Sequence, residues 1–460
     1  MARNRVIYQS EALYVGPSPA VSGYFTDKTL HVPDGYVGYA ADALIGAAWD
    51  AGGDLHPSGN QIRQLHRIQT ANYSFNIPRT DINQFGELAA IDRVVMDTPT
   101  VALDFSYILA TMENEQNLGF VTDGHASCIS GILNKTSDEK NYFIKTVGEG
   151  RDAVGDRGPH NDAAGTMVGG GVGAENEYEF VIGVGNGFLT SYTTECSVGN
   201  FPTCTVNVEG LNMTFESGVS GASPAVKPES GTRLSHFKYV LPTTTGSPET
   251  GIMSTSALRP GDITFAFAKR DREAVQLSGE VFQSVTADED TYDAPGAHLG
   301  NMDSKMHAKI QSYNISLDMA REPINRLGSR FAFSREITFP MTVTCTIDAL
   351  VADLTTGSLS DLINCDDSYD IVVNLLRPVS CPGTMTDGTA KDIFAQYWLK
   401  NAKVNSQAFS SDIGSNKSVT MEFATQVGGP SQKNQGLFMS GITTGRDTAG
   451  FIQRDDSADS

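Results

Sequence analysis

The sequence is poor in charge, and poorer still in positive charge. Charged residues make up 19% of the 460, with 33 Lys and Arg against 54 Asp and Glu, for a formal net charge of −21. An ordinary nucleic-acid binder shows a basic face, so this balance argues against that class. Trp occurs only twice, at Trp49 and Trp398, which gives little material for the exposed aromatic cluster of a carbohydrate-binding adhesin. No apolar run approaches the roughly 20 residues that span a membrane. The most apolar helical stretch, Tyr39 to Trp49, is short and contains Asp42. The opening residues Met1 to Val6 carry no apolar core of a secretory leader, so folding in a cytoplasm is expected.

Cysteine is sparse as well. The six residues Cys128, Cys196, Cys204, Cys345, Cys365 and Cys381 form no CxxC pair, so neither a zinc site nor a disulfide framework is expected. Cys345 lies in a strand pattern and reads as a small core hydrophobe. Cys196 and Cys204 flank a turn and can face each other across a hairpin, although reduced thiols are the favoured reading. The eight His are scattered, and His125 near Cys128 reads as structural. Glu179 to Gly187 begins like a dinucleotide loop, but its glycine spacing is wrong and strand-like residues follow instead of a helix. Gly169 to Gly173 lacks the Lys-Ser/Thr of a phosphate loop. Asp288 to Asp293 lacks the Gly and distal Glu of a calcium loop and reads as a solvated acidic loop. No catalytic residue, cofactor or metal is assigned, and no enzyme is expected.

What the sequence does contain is Gly, 46 residues of it, together with abundant Thr, Ser and Val. That mixture suits short strands joined by tight turns. It also contains a repeat. Ile68 to Gly86 can be laid on Ile310 to Gly328, 242 residues further on, with identity at Ile68, Gln69, Asn72, Ser74, Arg79, Ile82, Asn83 and Gly86. The physical pattern repeats too. Tyr73, Phe75 and Ile77 alternate with Asn72, Ser74 and Asn76, and Ile315, Leu317 and Met319 alternate with Asn314, Ser316 and Asp318. Both are period-two strands with one apolar and one polar face. A second strand follows each, Val101 to Tyr107 and Val343 to Ile347. Short helices come next, with apolar stripes Cys128, Ile129, Ile132, Leu133 and Leu359, Leu362, Ile363, the second with capping-box spacing at Ser358 and Asp361. Strands at 142–147 and 369–374 and a hairpin close each copy, turning at Gly199-Asn200 and at Gly414 to Asn416.

The expected organisation is therefore all-β with minor α: two tandem domains, each with a flanking short helix. The first spans 1–215, with an N-terminal extension and a Gly/Asp-rich insert at 148–178. Residues 216–308 connect the copies and can complete the second domain; they include a strand at 262–267. The second domain spans 309–440, and 441–460 reads as a flexible polar tail.

At the repeated motifs the sequence resembles the major tail tube proteins of long-tailed bacteriophages. The resemblance rests on Asn72 to Asp92 and on Leu189 to Asn212, and the second copy departs from it by replacing the S-V-G-x-F-P turn with Ser410 to Ser418. It implies a β-sandwich or small barrel fold. It implies homo-oligomeric rings in which neighbouring sheets join around a lumen, stacked into a tube in the virion tail and assembled in the host cytoplasm. The implied partners are tail terminator and distal tail or baseplate proteins, a tape measure protein in the lumen, and genomic DNA passing without specific binding, with no membrane. Rings of this family are usually six-fold, so two domains per chain imply a trimer. An acidic wall fits a DNA conduit, because it repels phosphate weakly and evenly. The polar faces Asn72, Ser74, Asn76, Asn314, Ser316 and Asp318 are candidates for the lumen, with the tube exterior as the alternative. Arg79, Asn83, Gly86, Arg321, Asn325 and Gly328 are candidates for fixing the turn after the first strand or for contacting a neighbour. The competing readings are another virion component (distal tail, tail terminator or decoration protein) and a β-domain adhesin.

Overall fold

The computed structural model describes residues 11–17, 63–122, 124, 126–133, 138–146, 160–161, 167–168, 180–217, 258, 260, 263–270, 308–325, 327, 332, 334–351, 368–376, 393–411, 416–429 and 431–441. The expected helix at 359–363, the turn at Gly414, the residues His125, Cys365, Cys381 and Gly328, the acidic run 288–293 and the tail beyond 441 lie outside them. The first half of the chain supplies β1 (Glu11–Pro17), β2 (Arg63–Gln64), β3 (Ile68–Asn76), β4 (Arg79–Ile82), β5 (Asp92–Val95), β6 (Thr100–Ile108), α1 (Glu113–Leu118), α2 (Ser130–Leu133), β7 (Glu139–Thr146), β8 (His160–Asn161), β9 (Met167–Val168), β10 (Phe180–Ser197), β11 (Thr203–Gly210) and β12 (Asn212–Ser217). The second supplies β13 (Ile263–Arg270), β14 (Ala308–Asp318), β15 (Arg321–Ile324), β16 (Ser334–Ile337), β17 (Met341–Val351), β18 (Ser368–Leu376), β19 (Ile393–Ser410), β20 (Ser418–Val427) and β21 (Gly436–Gly441). Among the described residues no helix is long and apolar enough to cross a membrane.

Sequence periodicity and backbone pairing agree closely. Val101, Leu103, Phe105 and Tyr107 are buried on β6, while Ala102 and Asp104 are exposed. On β17, Val343, Cys345 and Ile347 are buried in the same alternation. The pairings β3·β6, β6·β11, β11·β10, β10·β7, β7·β1 and β10·β12 have counterparts in β14·β17, β17·β20, β20·β19, β19·β18, β18·β13 and β19·β21. Register follows as well: Ala71 lies opposite Phe105 and Tyr313 opposite Ile347. Bulges fall at Ile68/Thr70 and at Ile310/Ser312, and again at Leu189/Ser191 and Val404/Ser406.

The expectation of two separate sandwich or barrel domains is corrected. All these strands run in one sheet, along the path β13-β18-β19-β20-β17-β14-β10-β11-β6-β3, with β1, β2, β7, β12 and β21 attached beside it. No sheet among the described residues closes into a barrel. The two halves fuse where Ser191–Ser197 of β10 pair with Ser312–Asp318 of β14. The physical reason is edge satisfaction: β14 would otherwise present unpaired N–H and C=O groups, and β10 covers them.

The two longest strands, β10 and β19, each change neighbours part-way. β10 pairs with β12 up to Gly185 and with β7 up to Phe188, then with β11 from Phe188 and with β14 from Ser191. The switch sits at Asn186, whose φ of 54° is the left-handed region that Asn tolerates better than most residues. Its N–H donates to Asn141 Oδ1 at 3.0 Å. Asn401 repeats the device on β19, with φ 57° and an N–H donating to Asp370 Oδ1 at 2.7 Å. Gly187 follows the bend because a Cβ there would come within 2.8 Å of the Tyr142 ring.

Two further details emerge. Cys196 and Cys204 are free, the favoured reading, but they do not face each other across the hairpin: Thr194 lies opposite Cys204. The apolar face of β3 is also poorly covered: Phe75 is 58% exposed and Ile77 40%, whereas Leu317 and Met319 at the matching positions are 0%. β3 is the end of the sheet path among the described residues, so no further described strand covers this face.

Between the halves lies a buried polar cluster. Glu115 on α1 is 0% exposed and accepts hydrogen bonds at Oε1 from Tyr107 (2.7 Å) and Tyr192 (3.0 Å). The Tyr192 hydroxyl also lies 2.8 Å from that of Tyr397. Burial pushes the Glu115 carboxyl up, and the tyrosine hydroxyls offset this only in part. The folded state therefore holds this proton more tightly than the unfolded one. Its contribution to stability is complete below the ordinary value of 4.5 and is lost as pH rises through the raised value. Glu115→Gln should abolish that slope, which is at most about 1.4 kcal/mol per pH unit. Denaturation midpoints measured across this range for both proteins check it; parallel curves would refute the assignment.

Candidate functional site

The outward face of the sheet is the surface to which both halves contribute. It runs unbroken from β3 through β6, β11, β10, β14, β17 and β20 to the outer part of β19. Strand alternation places Ser, Thr, Asn, Asp and Glu side chains here, because the apolar partners on the same strands fill the core. Cross-strand registers stack them in rows. Asn72 faces Asp104, Asp104 faces Asn207, Asn207 faces Ser191, and Ser191 faces Asp318. A second row joins Glu195, Asn314, Thr346 and Glu422.

Side chains within these rows bond to one another. Thr70 and Ser106 hydroxyls lie 2.7 Å apart, and those of Thr193 and Ser316 3.2 Å apart. Asn207 Nδ2 donates to Ser191 Oγ at 2.7 Å, and Asn314 Nδ2 to Glu195 Oε2 at 3.2 Å. The Asp348 carboxylate accepts from Ser312 at 2.7 Å and from Thr420. The wall is thus polar and in part self-satisfied, and its charges are mostly carboxylates.

Lys403 stands exposed at the β19 end of this face, and two arginines lie at another margin. Arg321 follows β14, and its guanidinium is fully buried. It grips Asp138 through Nη1 at 3.0 Å and Nη2 at 2.6 Å, while Nε donates to the Leu189 carbonyl at 2.7 Å. Arg335 on β16 pairs with Glu209 on β11. The β15–β16 hairpin of the second half is thereby clamped to the first half. The matching hairpin of the first half, β4–β5, has no such clamp among the described residues. Arg79 is exposed there, and Arg93 pairs with Asp81 on the same hairpin. That hairpin also carries exposed Phe85, Leu88, Ile91 and Met96.

The candidate residues are distributed accordingly. Asn72, Ser74, Asn76 and Asp318 are exposed on the wall, and Asn314 and Ser316 are half-buried by their neighbours. Asn83 and Asn325 are exposed directly after β4 and β15, in the connections within the two hairpins, and Gly86 takes φ 95° in the β4–β5 turn. Sequence reasoning missed Asp138, Glu209 and Arg335, whose partners are distant in the chain; no local motif marks them.

Reactive chemistry is scarce on this face. Burial pushes the thiols of Cys204 and Cys345 up to about 12 and that of Cys196 up to about 11, so they stay protonated and unreactive at neutral pH. Among the described residues no group of three or more His, Cys, Asp or Glu gathers as for a metal.

No family model matches the chain, and no curated protein matches it. Among solved structures, the chain is similar to one from the six-fold symmetrised cryo-EM structure of the anti-feeding prophage baseplate. The match has 13% identity and a TM-score of 0.19, covering 28% of this chain and 77% of the other. A TM-score of that size defines neither fold nor role.

Proposed function

We propose that this protein is a structural subunit of a viral tail that closes into rings, and that in its finer form it is the tube subunit whose stacked rings conduct DNA. The supporting observation is the outward face itself: one uninterrupted acidic-to-neutral polar wall that spans both halves. Many of its side chains are occupied with one another, which leaves fewer to grip a passing polymer, and its carboxylates repel phosphate. Facing inward around a ring, Asn72, Ser74, Asn76, Asn314, Ser316 and Asp318 would line the lumen. In this reading the two halves are duplicated tube domains, and three chains make a ring with pseudo-six-fold symmetry.

Negative-stain electron microscopy of the purified, concentrated protein tests this. The expected result is hollow tubes of stacked rings, each ring containing three chains by mass. Single rings that never stack would favour a terminator or distal tail component, which would use the same wall at low copy number. Monomers at every concentration would overturn the reading.

A further inference from the structure

We infer that the contact between neighbouring chains copies, residue for residue, the junction that already joins the two halves inside one chain. The partner is a second copy of this chain, and the inference rests on the ring reading above.

The seam between β10 and β14 supplies the template. There Ser191 lies opposite Asp318, Thr193 opposite Ser316 and Glu195 opposite Asn314. The structural counterpart of β14 is β3, and the counterpart of the outer part of β10 is the outer part of β19. The shared bulges fix both alignments: Ile310/Ser312 matches Ile68/Thr70, and Leu189/Ser191 matches Val404/Ser406. Both counterparts are open. β3 pairs only with β6, and Lys403–Ser410 of β19 pair only with β20 among the described residues. Transferring the register sets Ser406 opposite Asn76, Ala408 opposite Ser74 and Ser410 opposite Asn72 of the next chain.

Exposure independently favours the same two edges. Phe75 on β3 is 58% exposed and Phe409 on β19 is 49%, whereas Leu317 and Thr194 at the matching places in the seam are both 0%. Two large aromatics in water at positions whose counterparts are sealed mark surfaces built to be covered. Arg79 gives a third sign. Its counterpart Arg321 donates to the Leu189 carbonyl across the seam, and the matching carbonyl for Arg79 is that of Val404 in the next chain. The contact is heterologous, a β3 edge against a β19 edge, and such contacts generate rings when the rotation closes.

Cysteine pairs read the register directly. Thr193 and Ser316 hydroxyls lie 3.2 Å apart in the template, so Ser74→Cys with Ala408→Cys puts two thiols within disulfide reach across the chain boundary. Ser74→Cys with Ser406→Cys is displaced by two residues, where Cβ atoms stand roughly 7 Å apart, too far for a disulfide. Both changes sit on exposed positions, and each single variant serves as a control for the native thiols. After mild oxidation of assembled protein, the first pair should give covalent dimers and trimers on a non-reducing gel and the second only monomers. Rings in the microscope with no cross-link in the first pair, or with an equal one in the second, would overturn the register while leaving the ring reading intact. Absence of any ring would overturn both. Arg79→Ala should raise the concentration needed for rings by about ten- to a hundredfold, the worth of one charge-assisted hydrogen bond. Its monomer should melt like the parent; an unchanged assembly threshold would remove Arg79 from the contact.

Discussion

Replacing Arg321 by alanine is expected to cost the folded monomer about 3–5 kcal/mol, the usual penalty for breaking a buried ion pair by removing one partner. Its guanidinium is fully buried and Asp138 is only 19% exposed, so the carboxylate left behind cannot recover full hydration. The carbonyls of Leu189 and Arg335 lose their donor at the same time. Asp138 is left beside Lys140, which burial lowers to about 8 against the pull of that carboxylate. Arg321→Lys keeps a charge but not the two-pronged geometry, and should recover only part of the loss. Urea midpoints at constant slope measure both. A loss below about 1 kcal/mol would put this pair in the class of surface salt bridges.

The second large effect is expected at Phe105, which is 1% exposed and packs against Tyr107 and Tyr142 with ring centroids 6.3 Å away in each case. Phe105→Ala should cost about 3–5 kcal/mol. At the matching place in the second half stands Ile347, also fully buried, where Ile→Val should cost about 0.5–1.5 kcal/mol. The shape of the transition is as informative as its midpoint. The β10·β14 seam and the Tyr192–Tyr397 hydroxyl contact tie the halves together. Each variant should therefore move one common thermal transition, followed by calorimetry. Two transitions, only one of which shifts with each variant, would show halves that unfold independently.

Much of this fold could be read in the sequence because its strongest signals are local. Alternation marked β3, β6, β14 and β17, and the spacing of Ile68 and Ile310 carries through both strands of each copy. The stripe at Cys128, Ile129 and Ile132 marked the short helix α2. What escaped were features fixed by distant partners. The seam joins Ser191 to Asp318, and no pattern near either residue announces it. Glu115 looks like a solvent-facing helix residue until Tyr107, Tyr192 and Cys204 enclose it. Asp138 shows no sign of receiving Arg321 from 183 positions away. The candidate wall was legible as polar faces on two strands, but its width came only from the registers that set those strands beside six others.

Because the β10·β14 seam is intramolecular, mass action does not act on it. Dilution cannot open it, and its effective concentration is set by chain connectivity alone. A solitary chain therefore carries its wall segment prefolded, and in the proposed ring only its two outer edges respond to protein concentration. In the proposed pseudo-six-fold ring, covalent linkage would turn half of the seams from an equilibrium into a fixture. Closing that ring would be a three-body event, and its steepness with concentration would fall accordingly.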